Sequence, residues 1–201
     1  MQNNSLKSLR LALSTYVLSI LLIGCSQTPF KQVDSVVDVE LPPPDVWSIQ
    51  AKLGIRSEEN SGSVTLNWQQ EQQQYLIRIQ GSLGQGSATI RGNEQYVIIE
   101  RPGESPLFSN NVDTFIGETF GWDLPISSFK YWVRGLYSPK SSAGTIRYDK
   151  SNRITSIEQS GWTLNYSLYQ IVDGRLLPGK IRARQGEDQL TLIIRRWRLS
   201  D

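Results

Sequence analysis

Residues 47–56 read WSIQAKLGIR, a stretch in which apolar and polar side chains alternate without a break. The apolar members fall on one face of an extended chain: Trp47, Ile49, Ala51, Leu53 and Ile55. A period of two residues is typical of a β-strand with one buried and one solvated face, whereas a helix repeats every 3.6 residues. The stretch therefore predicts a strand of an antiparallel sheet.

The same alternation recurs along most of the chain. The other segments with this pattern are residues 63–69, 75–80, 87–91, 96–100, 145–148, 154–159, 162–169, 177–184 and 189–197. Their connectors are short and rich in Gly, Asn and Ser, as the turns of antiparallel hairpins require. We therefore predict a mainly β (α+β) fold with a single meandering antiparallel sheet of about ten or eleven strands.

Residues 110–136 interrupt this alternation once, and their apolar spacing predicts two short helices. The first has a capping asparagine and an apolar set: Asn110 or Asn111, with Phe115, Ile116 and Phe120. The second has a capping serine, an apolar set and a terminating glycine: Ser127 or Ser128, with Phe129, Trp132, Val133, Leu136 and Gly135. Two amphipathic helices inserted into a sheet with one apolar face predict a cover over that face.

The first 24 residues have the features of a secretory signal peptide. Two basic residues precede residues 11–23, an apolar run that is too short for a membrane-spanning helix. The run ends in LIGC at residues 22–25, which resembles the bacterial lipobox. This resemblance implies cleavage before Cys25 and acylation of that cysteine. An ordinary signal peptide followed by a chance cysteine is the alternative.

Residues 25–45 are predicted to form an acylated N-terminus and a tether. The segment is polar and acidic, and it closes in three prolines at residues 42–44. Proline favours the extended polyproline II conformation, which would hold a folded body, residues 46–201, off the membrane. Ser26, directly after the acylated position, resembles the address of outer-membrane rather than inner-membrane lipoproteins.

Composition excludes several classes of function. The chain has 21 basic and 19 acidic residues, and the signal peptide holds Lys7 and Arg10 but no acid, so the mature chain has no net side-chain charge. This balance gives no electrostatic case for nucleic-acid binding. Histidine and the GxxxxGK[ST] motif are absent, which excludes His-based catalysis, most zinc sites and P-loop nucleotide binding. We therefore expect no catalytic residue, no metal and no cofactor.

Residues 79–90 read IQGSLGQGSATI and place three glycines around Leu83, between two alternating segments. The loop lacks the lysine and the strand–helix setting of a phosphate-binding loop. Two interpretations of this leucine stay open. It folds back onto the sheet edge, or its small neighbours leave it exposed to solvent or lipid.

The apolar face of such a sheet must be buried by barrel closure, by a second sheet or by a cover. The two predicted helices supply too few side chains to fill the interior of a large sheet. This favours a cavity or cleft lined by aliphatic and aromatic groups. A fully packed β-core fits the same alternation equally well.

Four stretches together resemble the LolB family of outer-membrane lipoprotein receptors: residues 66–69 (LNWQ), 75–79 (YLIRI), 81–84 (GSLG) and 121–136 (GWDLPISSFKYWVRGL). The last is the most specific, and the resemblance covers most of the mature chain. It implies an open antiparallel half-barrel with a helical lid over a hydrophobic cavity. It also implies that the protein accepts acylated lipoproteins from a LolA-like periplasmic carrier and inserts them into the outer membrane without nucleotide hydrolysis.

The resemblance also assigns roles to residues. The family leucine at the matching position protrudes, which implies that Leu83, flanked by Gly81 and Gly84, delivers cargo to the bilayer. The implied acyl-cavity lining is Ile49, Leu53, Ile55, Leu66, Trp68, Ile77, Ile79, Ile90, Phe115, Ile116, Phe120, Trp132, Val133, Leu136, Trp162, Leu164 and Tyr166. The implied partners are the carrier, acylated cargo and outer-membrane phospholipid, and a monomer is expected. The short, proline-containing N-terminal region departs from the family's longer helix there and reduces the expected lid to two helices.

A structural or assembly lipoprotein that docks an envelope protein and has no lipid-binding cavity is the alternative function. Arg195, Arg196 and Arg198 fit a solvated strand end, and they also fit a contact with anionic headgroups or with the carrier. An enzyme has the least support, because the acidic pairs at 58–59 and 187–188 lie in turn-like segments.

Overall fold

The structure is a computed structural model that describes residues 44–57, 61–81, 86–121, 125–139 and 144–200. The predicted signal peptide, the lipidation site Cys25 and almost all of the tether lie outside these residues. So do Leu83 and Gly84 of the glycine loop. Within the described residues, no helix has both the length and the apolar character needed to cross a bilayer.

The described residues form thirteen strands, with two helices between the sixth and the seventh. The strands are β1 (Val46–Arg56), β2 (Ser61–Glu71), β3 (Gln74–Gly81), β4 (Ser87–Gly92), β5 (Val97–Glu100), β6 (Leu107–Ser109), β7 (Thr145–Tyr148), β8 (Ile154–Gln159), β9 (Trp162–Ser167), β10 (Gln170–Val172), β11 (Arg175–Leu177), β12 (Lys180–Gln185) and β13 (Asp188–Ser200). The helices are α1 (Val112–Phe120) and α2 (Ile126–Trp132).

One sheet of 11 strands contains all of these strands except β10 and β11, which form a separate hairpin. Its order is β6-β5-β4-β3-β2-β1-β13-β12-β9-β8-β7, and neighbouring strands are antiparallel. The first and last strands lie side by side at its centre, where Leu53 pairs with Leu192. The sheet is open, with β6 and β7 at its edges. The predicted mainly antiparallel fold with two short helices is confirmed.

The alternation that predicted β1 also fixes its two faces. Ile49, Ala51 and Leu53 are buried, while Gln50 and Lys52 between them are exposed. The neighbouring strands bury their own alternate residues against the same side, and α1 and α2 contribute to the same hydrophobic cluster. The core therefore lies between the inner face of the sheet and the two helices, and the outer face is polar.

The helix ends differ from the prediction. Asn111 occupies the position before α1, but its side chain makes no capping hydrogen bond, and Gly121 ends the helix in the left-handed region. Helix α2 begins after Pro125, so the predicted cap at Ser127 or Ser128 is wrong. Proline fixes φ near the helical value and precedes a first turn that needs no N–H from it, which lets α2 start earlier.

Helix α2 is also shorter than predicted. It ends at Trp132, so Val133 and Leu136 lie beyond the helix. Gly135, which the sequence analysis placed at the helix terminus, has a φ of +76° in the turn that follows. An L-residue with a Cβ rarely adopts this conformation, so glycine here lets the chain leave α2 in a tight turn.

The two ends of the sheet are distinct. At the loop end, β1 finishes at Arg56 and β3 finishes at Gly81, so the loop 81–86 lies there. At the tether end, Val46 pairs with Ser200. The chain therefore enters the sheet at the end opposite the glycine loop.

Candidate functional site

The loop 81–86 is closed at its base. The main-chain N–H of Gly81 donates to the carbonyl of Gly86 at 2.9 Å, and Gly81 also pairs with Val64 of β2. Gly86 has a φ of +73°, a conformation that favours glycine. A fixed base of this kind holds the loop at the end of a rigid strand pair. Because Leu83 and Gly84 are not described, their assigned roles stay predictions.

The predicted cavity-lining residues come together on the inner face of the sheet. Those buried in one continuous cluster are Ile49, Leu53, Leu66, Trp68, Ile77, Ile79, Ile90, Ile116, Trp132, Val133, Trp162, Leu164 and Tyr166. Ile55, Phe115 and Phe120 are half-buried and pack against the cluster. Leu136 is half-buried beyond the end of α2 and is not part of it. A packed core and an acyl-binding interior in its closed state would both gather these residues.

Aromatic side chains fill the space between α2 and the sheet. The rings of Trp68 and Phe129 are stacked with centroids 6.3 Å apart, and Phe129 meets Trp132 edge-on at 6.2 Å. Trp132 in turn lies 6.2 Å from Trp162 of β9. This series joins β2 to β9 through the helix, so α2 is an integral part of the closed interior.

Hydrogen bonds fix the C-terminal end of α2. The indole N–H of Trp132 donates to Gln159 Oε1 at 2.8 Å, and the Gln159 side chain also bonds both main-chain groups of Ser138. The Tyr166 hydroxyl donates to the carbonyl of Trp132 at 3.0 Å. Burial raises the pKa of Tyr166 well above its ordinary value, which keeps the hydroxyl protonated as a donor. These buried bonds resist movement of α2.

Two buried cations hold α2 and the turn that follows it. Lys130 Nζ lies 2.6 Å from Glu94 Oε1, and the Lys130 side chain is only 7% exposed. Arg134 Nη1 donates to the carbonyl of Pro44 at 2.8 Å and lies 3.4 Å from Asp45. Burial lowers the pKa of Arg134, and the Asp45 carboxylate acts in the opposite direction. The helix is thus tied both to the sheet and to the point where the chain enters it.

Helix α1 has fewer attachments. Its buried residues are Val112 and Ile116 only. Near its C-terminus, the Arg101 guanidinium lies 5.3 Å from the centre of the Phe120 ring and donates to the carbonyl of Thr119 at 3.2 Å. Helix α1 therefore buries fewer side chains than α2, which buries five.

Asp113 in the first turn of α1 joins the two helices. Its Oδ1 accepts a hydrogen bond from the main-chain N–H of Ser127 at 3.1 Å, and its Oδ2 accepts one from the Ser127 hydroxyl. The serine that was predicted to cap α2 is therefore engaged by α1.

The apolar interior becomes more accessible toward the loop end. In the middle of β1 and β2, Leu53 and Leu66 are buried, whereas Ile55 and Val64, one step nearer the loop end, are half-buried. Half-buried Phe120 lies at this end too, because Arg101, which contacts it, follows β5 directly. Half-buried apolar side chains of the interior therefore lie at the loop end of β1 and β2.

The tether end carries two polar cavities instead. One has a volume of about 1130 Å³ and is lined by residues that include Lys130 and Arg134. The other, of about 530 Å³, is lined by residues that include Trp47 and Tyr75, whose indole nitrogen and hydroxyl are buried without a hydrogen-bond partner among the described residues. Neither cavity includes a residue of the predicted acyl lining.

Residues 45–197 match the model of the family described as "Outer membrane lipoprotein LolB". The chain belongs to the LolB family. The match spans every strand of the sheet, both helices and the loop 81–86, so the features above are those of a LolB-family body rather than of one shared segment.

Curated relatives agree with this assignment. A protein of Cellvibrio japonicus named "Outer-membrane lipoprotein LolB" is 38% identical and covers 79% of this LolB-family chain and 86% of its own length. Proteins of the same name from Pseudomonas fluorescens and Pseudomonas aeruginosa are 38% and 37% identical, over 76% of this chain and 74% of their own.

A solved structure shares the fold. A LolA superfamily protein from Nitrosomonas europaea superposes with a TM-score of 0.50 at 10% identity, covering 83% of this LolB-family chain and 91% of that protein. At this identity the likeness concerns the fold alone. It agrees with the predicted mainly antiparallel fold.

Two buried charged residues of this LolB-family protein were not predicted from the sequence. Lys130 and Arg134 are buried charges, although charged residues are seldom fully buried without partners. Their partners lie far away in the sequence, at Glu94 and Pro44. The only signal was their spacing of four residues, which would place two cations on one side of a helix that continued past Trp132.

Proposed function

We propose that this protein is an outer-membrane-anchored receptor that accepts acylated lipoproteins from a LolA-like periplasmic carrier and inserts them into the outer membrane. Membership of the LolB family is the observation that carries the proposal. Acylated Cys25 would hold the receptor at the periplasmic face of that membrane. Its role is transfer rather than catalysis.

The continuous apolar inner face supports acyl-chain binding. Each methylene hidden from water contributes about 0.8 kcal/mol, so lipid chains crossing an aqueous space need a hydrophobic enclosure. The inner-face cluster supplies aliphatic and aromatic side chains from most strands of the sheet. The receptor needs only to hold the chains better than the carrier and worse than the bilayer, so graded apolar contact replaces nucleotide hydrolysis.

Acyl chains would enter where α1 can move. Helix α2 stays in place, because Trp132, Lys130 and Arg134 tie it to buried partners. Helix α1 would swing away and expose Ile55, Phe115 and Phe120, the half-buried members of the predicted lining. The lid of this receptor is then a single moving helix beside the loop end.

The loop 81–86 would deliver the cargo. Burying one leucine in the lipid interface contributes about 1.5–3 kcal/mol, which suffices for transient insertion and not for anchoring. The hydrogen bond between Gly81 and Gly86 supports this role, because it joins the two ends of the loop that carries Leu83. Delivery at the loop end would also shorten the path from the half-buried apolar residues to the bilayer.

A lipoprotein that docks an envelope protein without binding lipid is the second candidate. The close packing of Trp68, Phe129 and Trp132 favours it, because these rings occupy interior space that acyl chains would need. The two candidates differ in whether a free hydrophobic ligand can enter.

Transfer of cargo is the deciding experiment. A purified carrier loaded with an acylated lipoprotein is mixed with residues 26–201, and the receptor is recovered to see whether cargo accompanies it. A fluorescent fatty-acid probe is titrated in parallel. A receptor captures the cargo and binds the probe saturably, with displacement by acylated peptide. Absence of both capture and probe binding would reject the proposal in favour of a docking protein.

A further inference from the structure

The outer face of the three central strands carries an unbalanced group of basic side chains. This group surrounds Ile193 and is called the basic face: Lys52 of β1, Lys180 and Arg182 of β12, and Arg196 and Arg198 of β13. Lys180 is half-buried and the other four are exposed. All five point away from the hydrophobic cluster, because their strand neighbours Ala51, Leu53, Ile181, Ala183 and Trp197 are the buried ones.

No carboxylate opposes these charges across the strands. The residues paired with them are Ile193, Thr65, Ser167, Thr191, Asn165, Gln50 and Ser48. None of the five basic residues forms an ion pair anywhere within the described residues. Some basic residues elsewhere on the sheet are paired, such as Arg91 with Glu100 and Arg147 with Glu158.

The helix side of the molecule exposes a different set of charges. Helix α1 carries Asp113 and Glu118 and no basic residue, and the cations near α2, Lys130 and Arg134, are buried. The mature chain balances its charges overall, so the positive outer face reflects their placement and not a net excess. A face of one sign attracts a surface of the opposite sign.

Apolar side chains accompany the charges. Ile193 is 40% exposed and has a lysine as its cross-strand partner on each side, Lys52 and Lys180. Leu168, at 67% exposure, lies against Gly179, the residue before Lys180. Aliphatic groups among long cationic side chains suit the headgroup region of a bilayer, where the aliphatic groups reach the acyl boundary and the cations meet phosphates.

We propose that the basic face docks on the anionic phospholipid surface of the membrane that anchors the protein. The inference rests on the membrane anchoring proposed above. Docking in this way turns the helix-covered side toward the periplasm, where a carrier arrives. An array over three strands fits a lipid surface better than a single small anion, because its charges are spread over neighbouring strands about 4.8 Å apart.

The test uses the mature, acylated protein in vesicles. Asn165→Cys places a fluorophore beside Arg182 on the basic face, and Glu118→Cys places one on α1. Acylated Cys25 leaves each label as the only free thiol. Vesicles of phosphatidylcholine, with or without phosphatidylglycerol, carry a quencher lipid at headgroup depth. We expect quenching of the Asn165→Cys label in anionic vesicles only, its loss at high salt, and no quenching of the Glu118→Cys label.

Variants that lack these charges measure how much the charges contribute to docking. Each basic residue at an anionic surface changes the docking equilibrium by about fivefold, so Lys52→Thr, Arg182→Thr and Arg196→Thr together should shift it by about 100-fold. Threonine keeps the strand preference of these outward positions. The matched control, Arg147→Thr, Lys150→Thr and Arg153→Thr, removes the same charge near the β7 edge and should keep the quenching.

Three results would overturn the inference: equal quenching in zwitterionic vesicles, equal loss in the control variant, or unchanged quenching in the triple variant with weaker capture of the carrier. The last would assign the basic face to an acidic protein partner. Cargo capture is measured separately. Absent quenching with normal capture rejects lipid docking alone, whereas normal quenching without capture rejects the receptor function alone.

Discussion

Trp132 and Gln159 are 27 residues apart in sequence, and the indole N–H of Trp132 donates to the Gln159 side-chain oxygen at 2.8 Å in the interior. The same amide bonds the main-chain N–H and carbonyl of Ser138. One glutamine therefore satisfies three buried groups from α2 and from the segment that follows it. These three hydrogen bonds hold the C-terminal end of α2 in place.

Gln159→Leu should destabilise the protein by about 2–4 kcal/mol, because it leaves several buried polar groups without partners. The free energy of unfolding from urea titration measures the loss. Gln185→Leu is the matched control, since Gln185 is exposed and its side chain makes a single bond of 3.3 Å to Ser160. A similar loss in both variants would contradict a special role for Gln159.

Arg101→Gln should free α1 and speed the binding of a fluorescent fatty acid several-fold. The change removes the guanidinium from the face of Phe120 and its hydrogen bond to Thr119, which are contacts of order 0.5–1.5 kcal/mol each. Stopped-flow fluorescence gives the association rate. Glu104→Gln provides the control, because it removes the ion-pair partner of Arg101 and leaves the contacts with α1 intact. Equal rates in all three proteins would count against α1 as the moving lid.

Leu83→Glu should leave folding and cargo capture intact and stop incorporation of the cargo into membranes. A carboxylate cannot enter the lipid interface at the free energy that a leucine gains there. Flotation of vesicles after transfer separates incorporated from captured cargo. Leu107→Glu changes an exposed leucine outside the loop and should retain incorporation. Normal incorporation by Leu83→Glu would remove the loop from the delivery step.

Stability should fall in alkaline solution, partly through Tyr166. Burial raises its pKa well above the ordinary value of 10.0, so the unfolded chain loses this proton at lower pH than the folded chain does. The contribution is complete below pH 10 and is lost as the pH rises further, at up to about 1.4 kcal/mol per pH unit.

Tyr166→Phe should therefore flatten the decline in unfolding free energy above pH 10, measured by urea titration at a series of pH values. Ile157→Val, a conservative change in the same core, should lower stability at every pH without altering the slope. An unchanged slope in Tyr166→Phe would show that other groups dominate the alkaline transition.

The sequence was informative wherever local pattern and burial agree. Alternation over residues 47–56 predicted both the strand and its buried face, because one face of β1 packs on the core and the other meets solvent. The break at residues 110–136 located both helices. Their caps were predicted less well, since Ser127 bonds Asp113 of the other helix, a tertiary contact that no local rule anticipates.

The short elements were missed for a related reason. β6 has three residues, and the β10–β11 hairpin was hidden because its residues continue the apolar alternation of their neighbours. Leu177, predicted to start the strand of residues 177–184, belongs to β11 instead, and β12 begins only at Lys180. Pro178 has no N–H for a ladder, which helps to separate the two strands.

The buried polar contacts of the candidate site lay beyond prediction. Lys130 meets Glu94 and Arg134 meets Pro44 only because the topology brings α2 beside the tether end of the sheet. The outer basic face is a similar case. Its members come from β1, β12 and β13, and only the central pairing of the first and last strands gathers them.

Pro44 lies at one end of the sheet and the loop 81–86 at the other. This separation sets a minimum length for the tether between the folded body and the bilayer. Pro44 lies nineteen residues after Cys25 in the sequence. If the acyl anchor and Leu83 are to reach one membrane together, the tether must span the length of a strand of 11 residues. This distance is about 36 Å at 3.3 Å per residue.

As a flexible coil, nineteen residues have a root-mean-square span of only about 24 Å, whereas an extended proline-rich chain of that length reaches about 59 Å. The tether therefore spans the required distance only in an extended conformation. Deleting ten of its residues would leave it too short, at about 30 Å or less. The length of the tether thus limits the distance between the acyl anchor and the place where cargo is released.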